Sequence, residues 1–194
     1  MTTTWTHTGP GRPAAPARPA EEPLSAAEFR EAMSHLAGAL TVVTTQDARG
    51  NRWGFTATSA LSVSQTPPLL LVGVGNTSSC LEAMLGSEGF TVNVLGEHQR
   101  AVAESFARKG IDRFEGHDFV PWSVDGPPLL ADAHAAYRCR TAGSIPVGDH
   151  HLLIGEVTGF AARSTAGPLL WHRRDFVALN RTFTALNEKE AVHA

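Results

Sequence analysis

The sequence predicts a mainly β protein whose strands pair antiparallel in a barrel or a sandwich. At least six segments are rich in β-branched or alternating apolar residues, at the spacing of hairpins. Only three short segments carry the apolar spacing of a helix. The 194 residues with 42% hydrophobic content suit one globular domain, and the net charge of −3 favours neither nucleic acid nor an anionic membrane as partner.

The first 23 residues differ in composition from the rest of the chain. Five of the twelve prolines fall here, and the segment lacks the apolar stretch of a signal peptide. We expect a disordered tail over residues 1–23, with an arm packed on a partner through Trp5 as the alternative. The predicted domain spans residues 24–182, and residues 183–194 form a predicted C-terminal tail.

The cysteines and the longest apolar run indicate in which cellular compartment the protein is found. Cys80 and Cys139 have neither the spacing of a zinc site nor the number needed for a disulfide framework. The apolar run at residues 69–75 is far too short to span a bilayer. The sequence therefore predicts a cytoplasmic protein that does not insert into a membrane.

A capping box begins the first predicted helix. Ser25 can accept a hydrogen bond from the backbone of Glu28, whose side chain can bond back to Ser25. Apolar residues at helical spacing follow, and Gly38 is expected to end the helix. Residues 39–46 are rich in β-branched side chains and predict a strand, which the turn at residues 47–51 connects to a second strand.

The second strand of this hairpin contains the stretch GFTATSALSVS, residues 54–64. It alternates along its length, so one face is partly apolar and could reach a core. The other face has only small side chains, at Thr56, Thr58, Ala60, Ser62 and Ser64. Thr and Ser also occupy ordinary solvated strand faces, so this pattern does not by itself indicate a ligand.

The rest of the chain alternates between predicted strands and two short helices. The segments are a buried strand at 69–75, a turn and helix over 76–89, a strand over 90–96, a helix over 98–110, a connection over 111–128, and β-rich segments at 135–144, 150–163 and 168–180. Long connections inside a compact domain are often functional, so residues 111–128 are a candidate segment of a site.

The segment GVGNTS, residues 73–78, predicts an anion site. It follows a strand and precedes a helix as a dinucleotide fingerprint does, but Ser78 stands where the third glycine belongs. Asn76, Thr77, Ser78 and Ser79 cluster at the predicted helix start, where free backbone N–H groups favour an anion. Because N-capping needs only one such residue, the run of four indicates a phosphate site.

The segment GDHH, residues 148–151, places an acid and two histidines at a turn before a strand. Adjacent strand residues point to opposite faces, so His150 and His151 cannot share a metal, and no further ligands stand nearby. No metal site is therefore predicted. His150 is a candidate residue of a ligand site, with an exposed turn histidine as the alternative.

Several short motifs cover residues 25–180 in a specific order. After the first helix they are TVVTT, GFTATSALSVS followed by PPLL, NTSS, GFTVNVL, SFA, GDH and PLLWHRRDF. Their order and spacing resemble the flavin reductase-like family, the small reductase components of two-component flavin-dependent monooxygenases.

The resemblance implies a fold and an activity. The fold would be an antiparallel six-stranded split β-barrel of the Greek-key, FMN-binding type with a few short flanking helices, usually as a homodimer. The activity would be NAD(P)H-dependent reduction of FMN or FAD, with NADH the default and NADPH an option, to supply reduced flavin to a separate monooxygenase. The alternatives on the same scaffold are an oxidoreductase that keeps its flavin and acts on an organic substrate, and a flavin-binding protein without turnover.

The resemblance also assigns roles to particular positions. His150 would lie by the nicotinamide, where it would orient the ring or assist proton movement. The flavin would lie along residues 56–59 with its phosphate near residues 76–79. The full set of implied cofactor-binding residues is Thr56, Ala57, Thr58, Ser59, Asn76, Ser78, Ser79, Ser105, Phe106, Ala107 and Phe176. Arg173 and Arg174 stand where many members have a glycine-containing run, so the resemblance leaves their roles open.

Overall fold

The computed structural model describes residues 22–124, 126–162 and 167–179. The helices and strands, in chain order, are α1 (Ala26–Ser34), β1 (Gly38–Ala39), β2 (Thr41–Gln46), β3 (Arg52–Ala57), β4 (Leu61–Gln65), β5 (Pro68–Gly75), α2 (Leu81–Gly86), β6 (Gly89–Val94), α3 (Arg100–Ala107), β7 (Phe119–Pro121), β8 (Pro128–Leu130), β9 (Ala135–Val147), β10 (His150–Ala162), β11 (Leu169–His172) and β12 (Asp175–Ala178). The fold is mainly β with few helices, as predicted. None of the described helices is long and apolar enough to cross a membrane.

A seven-stranded antiparallel sheet organises the domain. Its strand order is β3-β2-β6-β9-β10-β5-β4, and two smaller sheets have the orders β1-β11-β12 and β7-β8. Within the described chain β3 and β4 are the two edges of the large sheet, so the closed six-stranded split barrel stays a prediction. The predicted tails lie outside the described residues apart from positions 22 and 23, and the domain boundaries also stay predictions.

The sheet curls strongly, because its two edge strands are consecutive in the chain. β3 ends at Ala57 and β4 begins at Leu61, and four residue steps span at most about 14 Å. In a flat sheet with strands about 4.8 Å apart, the edges of seven strands would lie about 29 Å apart. The short connection at residues 58–60, called the corner below, therefore draws the two edges together.

The corner corrects the prediction of one continuous strand over residues 54–64. The alternation of side-chain faces in the sequence continues through the corner. It therefore could not show where the chain leaves one edge of the sheet and joins the other. The Oγ of Ser59 accepts a hydrogen bond from the backbone N–H of Gly73 at 3.0 Å and thus fixes the corner to β5. The predicted hairpin survives in part, because β2 and β3 pair antiparallel.

The large sheet carries a hydrophobic cluster on each face. Val42 lies directly opposite Thr56 on one side and Asn93 on the other, so the three share one face, called the helix face below. α3, β8 and the apolar residues of the loop before β8 cover this face. The opposite face buries a second cluster that includes Val43, Phe90 and Met84 of α2.

Asn93 fixes β8 onto the helix face from the middle of the sheet. Its Oδ1 accepts from the Leu130 backbone N–H at 2.9 Å, and its Nδ2 donates to the Val42 carbonyl at 2.9 Å and to Thr44 Oγ1 at 3.2 Å. Thr44 in turn donates to the Pro128 carbonyl. Asn93 and Thr44 are both fully buried, so this polar network anchors a loop where packing alone would leave backbone groups unpaired.

The first helix begins as predicted and ends earlier than predicted. The Ser25 Oγ accepts from the Glu28 N–H, and the Glu28 carboxylate accepts from the Ser25 N–H, which confirms the capping box. The helix ends at Ser34 because Gly38 already pairs with Trp171 in β1 and β11. Tertiary pairing therefore decides the end of this helix.

Both cysteines are free and buried. Burial raises the pKa of the Cys139 thiol to about 12, so it stays protonated at neutral pH. The Cys80 Sγ donates to the Gly54 carbonyl at 3.1 Å. Both thiols thus belong to the packed interior.

Candidate functional site

A groove of about 560 Å³ lies on the helix face between β3, α3 and the β11–β12 hairpin. Such a volume is within the range of small-molecule sites, roughly 300–1,000 Å³. The lining residues are Leu40, Thr56, Ala57, Thr58, Ala103, Glu104, Ala107, Arg108, Trp171 and Phe176. Thr56, Ala57, Thr58, Ala107 and Phe176 among them are predicted cofactor-binding residues, and they come from three separate parts of the sequence.

The floor of the groove is small and fixed in place. The Thr56 Oγ1 donates to the Ala103 carbonyl of α3 at 2.6 Å, and the Thr41 Oγ1 donates to the Ala57 carbonyl at 2.9 Å. Thr58 is exposed at the corner. The Thr56 hydroxyl thus joins β3 to α3 and is not available to a ligand. The floor therefore suits a ligand because its side chains are small, not because it presents a row of hydroxyls.

An aromatic wall faces this floor. The Trp171 and Phe176 rings pack edge to face with centroids 5.1 Å apart. The Arg100 guanidinium lies 4.5 Å from the Phe176 ring centroid, and its Nε donates to the Glu104 carboxylate at 2.8 Å. The wall is therefore held from α3 by a cation–π contact and an ion pair. A small floor and an aromatic wall are surfaces on which a flat ligand can stack.

His150 lies at the start of β10, beside two glycines of β5. A side chain at Gly75 would come within 3.7 Å of His150 Nε2, and one at Gly73 within 3.3 Å of Ser59 Oγ. The two glycines therefore leave the space between His150 and the corner open. His151 pairs with Val74, whose side chain is buried in the cluster on the opposite face, so the prediction that the two histidines point apart is confirmed.

Asp149 holds the other nitrogen of the His150 ring. The His150 Nδ1 lies 2.7 Å from the Asp149 Oδ1 and donates to it. This hydrogen bond lowers the pKa of the Asp149 carboxyl, which is therefore ionised at neutral pH. With Nδ1 engaged, Nε2 is the ring atom that remains for a ligand.

The turn at residues 76–79 adjoins the His150 turn. The Asn76 backbone N–H donates to the Asp149 carbonyl at 2.9 Å, and its Nδ2 donates to the Gly148 carbonyl at 3.4 Å. Asn76 therefore connects the two turns. The two predicted ligand-binding segments, far apart in sequence, lie side by side.

The same turn corrects one detail of the anion-site prediction. The N-cap of α2 is Cys80, without a side-chain capping bond, and α2 has only 6 residues. Ser78 Oγ instead accepts from the Cys80 backbone N–H at 3.2 Å. Positive charge at this turn comes from side chains that follow α3 more than from a helix dipole.

Two cations beside this turn were not identified from the sequence. The Lys109 Nζ donates to the Thr77 carbonyl at 3.3 Å, and Arg113 donates to Ser79 Oγ at 3.3 Å and to the Gly54 carbonyl at 2.8 Å. Both follow the SFA motif closely, which is the signal that could have suggested them. Lys109 directly follows the groove residue Arg108, so the chain leads from the groove to this turn.

The side chains of residues 105–107 point to different surroundings. Phe106 is 1% exposed, and its ring packs 4.9 Å from Phe114 and 5.3 Å from Phe119 in the cluster under α3. Ser105 is half-buried on α3 and is not among the groove-lining residues. Successive helix residues point about 100° apart, so one residue of the three, Ala107, faces the groove.

Comparison with known proteins identifies relatives of this chain. The family model described as flavin reductase like domain matches residues 33–180. An NADH:riboflavin 5'-phosphate oxidoreductase from Streptomyces pristinaespiralis is 49% identical over 172 residues, which are 88% of this chain and 96% of that protein.

Two solved structures share the fold. An NADH:FAD oxidoreductase from Streptomyces globisporus, in complex with NAD and FAD fragments, superposes with a TM-score of 0.76 at 29% identity, over 81% of this chain and 94% of that chain. Nitrilotriacetate monooxygenase component B from Mycobacterium thermoresistibile superposes with a TM-score of 0.74 at 29% identity, over 79% of this chain and 86% of that chain.

Proposed function

This chain belongs to the flavin reductase-like domain family, and on that premise we propose that it is an NADH:flavin oxidoreductase that supplies reduced FMN or FAD to a separate oxygenase component. Hydride transfer from nicotinamide to flavin is the chemistry of the two nucleotides, so the protein needs neither a nucleophile nor a strong base. Its task is to hold two flat rings in contact and to satisfy their polar edges. The observation that carries the proposal is the groove with a small floor at residues 56–58 and an aromatic wall.

Steady-state NADH oxidation with added flavin tests this function. The purified protein is expected to oxidise NADH over many turnovers, at a rate that saturates with the concentration of free FMN or FAD. Turnover that needs an organic substrate and keeps its flavin bound would instead favour the flavin-retaining oxidoreductase. Flavin binding without NADH consumption would contradict the proposal and favour a binding protein.

The proposed flavin phosphate site is the turn at residues 76–79 with Lys109 and Arg113 beside it. A phosphate here would meet polar side chains and two cations. The Arg113 guanidinium is already engaged with the Gly54 carbonyl, so Lys109 is the more available of the two charges. Phosphate recognition by a lysine at a turn is a charge-assisted contact.

Lys109→Ala is expected to weaken FMN binding about five-fold, the effect of one partly exposed charge-assisted bond. Riboflavin, which lacks the phosphate, should bind the parent chain and Lys109→Ala equally. Titration of flavin fluorescence measures both affinities. Arg49→Ala, which removes a cation from the exposed β2–β3 turn, is the control and should change neither; an equal loss for riboflavin would rule out a phosphate contact.

We infer that His150 acts on the nicotinamide side of the groove. His150→Ala is expected to lower kcat about 10- to 100-fold, because the ring no longer positions or assists the reacting group. Flavin affinity should change much less. His151→Ala, its neighbour on the opposite face, is the matched control in steady-state assays, and an unchanged kcat in His150→Ala would remove His150 from the site.

A homodimer and a six-stranded split barrel complete the proposal. The curled sheet, whose edges the corner draws together, supports the barrel. Exposed apolar side chains on the strands support a dimer: Leu61 and Val63 of β4 are each 54% exposed, and Ile145 and Val147 of β9 are each 50% exposed. Such surfaces are typical of interfaces. Light scattering on the purified chain measures its mass in solution.

A further inference from the structure

The turn between β11 and β12 has a strained backbone. His172 and Asp175 pair across it, and the two residues between them, Arg173 and Arg174, have φ angles of 49° and 64°. A two-residue hairpin with positive φ at both positions strongly favours Asn and Gly. Left-handed backbone costs free energy for any residue with a Cβ. Where such strain is kept, it points to a use of the side chains.

One of the two arginines has a structural partner. The Arg174 Nη2 lies 3.1 Å from the Glu31 carboxylate of α1, and the Arg173 backbone N–H donates to the Ser34 carbonyl at 2.7 Å. These two contacts fasten the turn to the end of α1. They use the Arg174 side chain but only the backbone of Arg173. These contacts therefore do not explain why position 173 is an arginine.

The Arg173 side chain is exposed and has no ion pair or hydrogen bond with any residue in the described ranges. The turn borders the groove, because Trp171 and Phe176, two residues away on either strand, form its aromatic wall. Two residues of strand cover about 7 Å, within the reach of a long side chain. The groove carboxylate of Glu104 is already paired with Arg100, so it is not a ready partner for Arg173.

Arg173 lies at the other end of the groove from the proposed flavin phosphate site. Phe176 contacts Arg100, the first residue of α3, whereas Lys109 follows the last turn of that helix. The eight residues of α3 are about 12 Å long. One phosphate cannot meet both Lys109 and Arg173, so an anion at Arg173 has to be a different group.

We propose that Arg173 binds the pyrophosphate of NADH at the rim of the groove. This rests on the proposed function and adds a second anion subsite to it. FMN would not use this subsite, and neither would FAD, whose pyrophosphate contains the phosphate of FMN and would lie at the turn of residues 76–79. The strained turn then has a physical reason: it presents a free guanidinium where a glycine-containing turn would present none.

Equilibrium titration of variants with FMN, FAD, NADH and ADP tests the subsite. Arg173→Asn tolerates the left-handed backbone and removes the charge. It is expected to weaken binding of ADP and of NADH about five- to ten-fold while binding of FMN and FAD is unchanged, and the urea midpoint should be equal or higher. Arg173→Lys should restore part of the affinity.

Arg174→Asn is the matched control, since it changes the same turn but removes only an exposed ion pair. Its affinities should equal those of the parent chain. Unchanged binding of ADP and NADH in Arg173→Asn, equal weakening of FMN or FAD, or the same loss in Arg174→Asn would each overturn the proposal. These titrations do not depend on turnover. If the parent chain still oxidises NADH with FMN, such an outcome removes the subsite and leaves the proposed function intact.

Discussion

Thr58→Trp is expected to lower the kcat/KM of flavin reduction at least about 100-fold while the protein stays folded. Thr58 is exposed at the corner and forms part of the groove floor, opposite Trp171 and Phe176. An indole there would fill the space of a flat ring, and displacement of the reacting atoms by even an ångström costs about this factor. Because the position is exposed, no core contact is lost.

The control for Thr58→Trp is Arg49→Trp, an equally bulky change in an exposed turn that does not line the groove. Circular dichroism and urea unfolding should be close to those of the parent chain for both variants. Flavin affinity and turnover should fall only in Thr58→Trp. Normal turnover with normal flavin affinity in that variant would show that the ring does not rest on residues 56–58.

Asn93→Leu is expected to destabilise the fold by about 2–4 kcal/mol. Leucine has the branching and the number of side-chain heavy atoms of asparagine and is somewhat larger, so no cavity opens and the loss comes mainly from the hydrogen bonds. The Leu130 N–H would lose its acceptor, and the Val42 carbonyl and Thr44 hydroxyl would lose a donor, all in a fully buried setting. A buried polar group left unpaired costs about 1–3 kcal/mol.

Asn51→Leu provides the matched exposed case. Asn51 Nδ2 donates to the Asp47 carboxylate at the β2–β3 turn, and that carboxylate also accepts from the Trp53 indole N–H. The expected loss there is below about 1 kcal/mol. Urea unfolding of the two variants measures the difference, and an equal effect in both would show that Asn93 does not anchor β8.

Much of the fold follows from local sequence pattern. The capping box at Ser25, the hairpin that pairs β2 with β3 and the separation of His150 from His151 are all local properties, and the structure confirms them. The corner at residues 58–60 is not local. Its position depends on Ser59 reaching Gly73 of β5, a contact between strands that alternation cannot reveal.

The candidate site could be predicted in outline but not in its details. Short motifs in a fixed order located the floor, the turn at residues 76–79 and the His150 turn. They could not show that Phe106 points into the core, because that depends on how α3 is rotated about its own axis. They also missed Lys109 and Arg113, because a charged residue after a helix is an ordinary solvated residue until folding brings it to a ligand turn.

A crystal structure with FMN bound is the decisive test of the proposed flavin site. The flavin ring is expected to rest on residues 56–58, against Trp171 and Phe176, with its phosphate at residues 76–79 beside Lys109. Flavin bound elsewhere on the chain, or with its phosphate away from that turn, would contradict the proposed site.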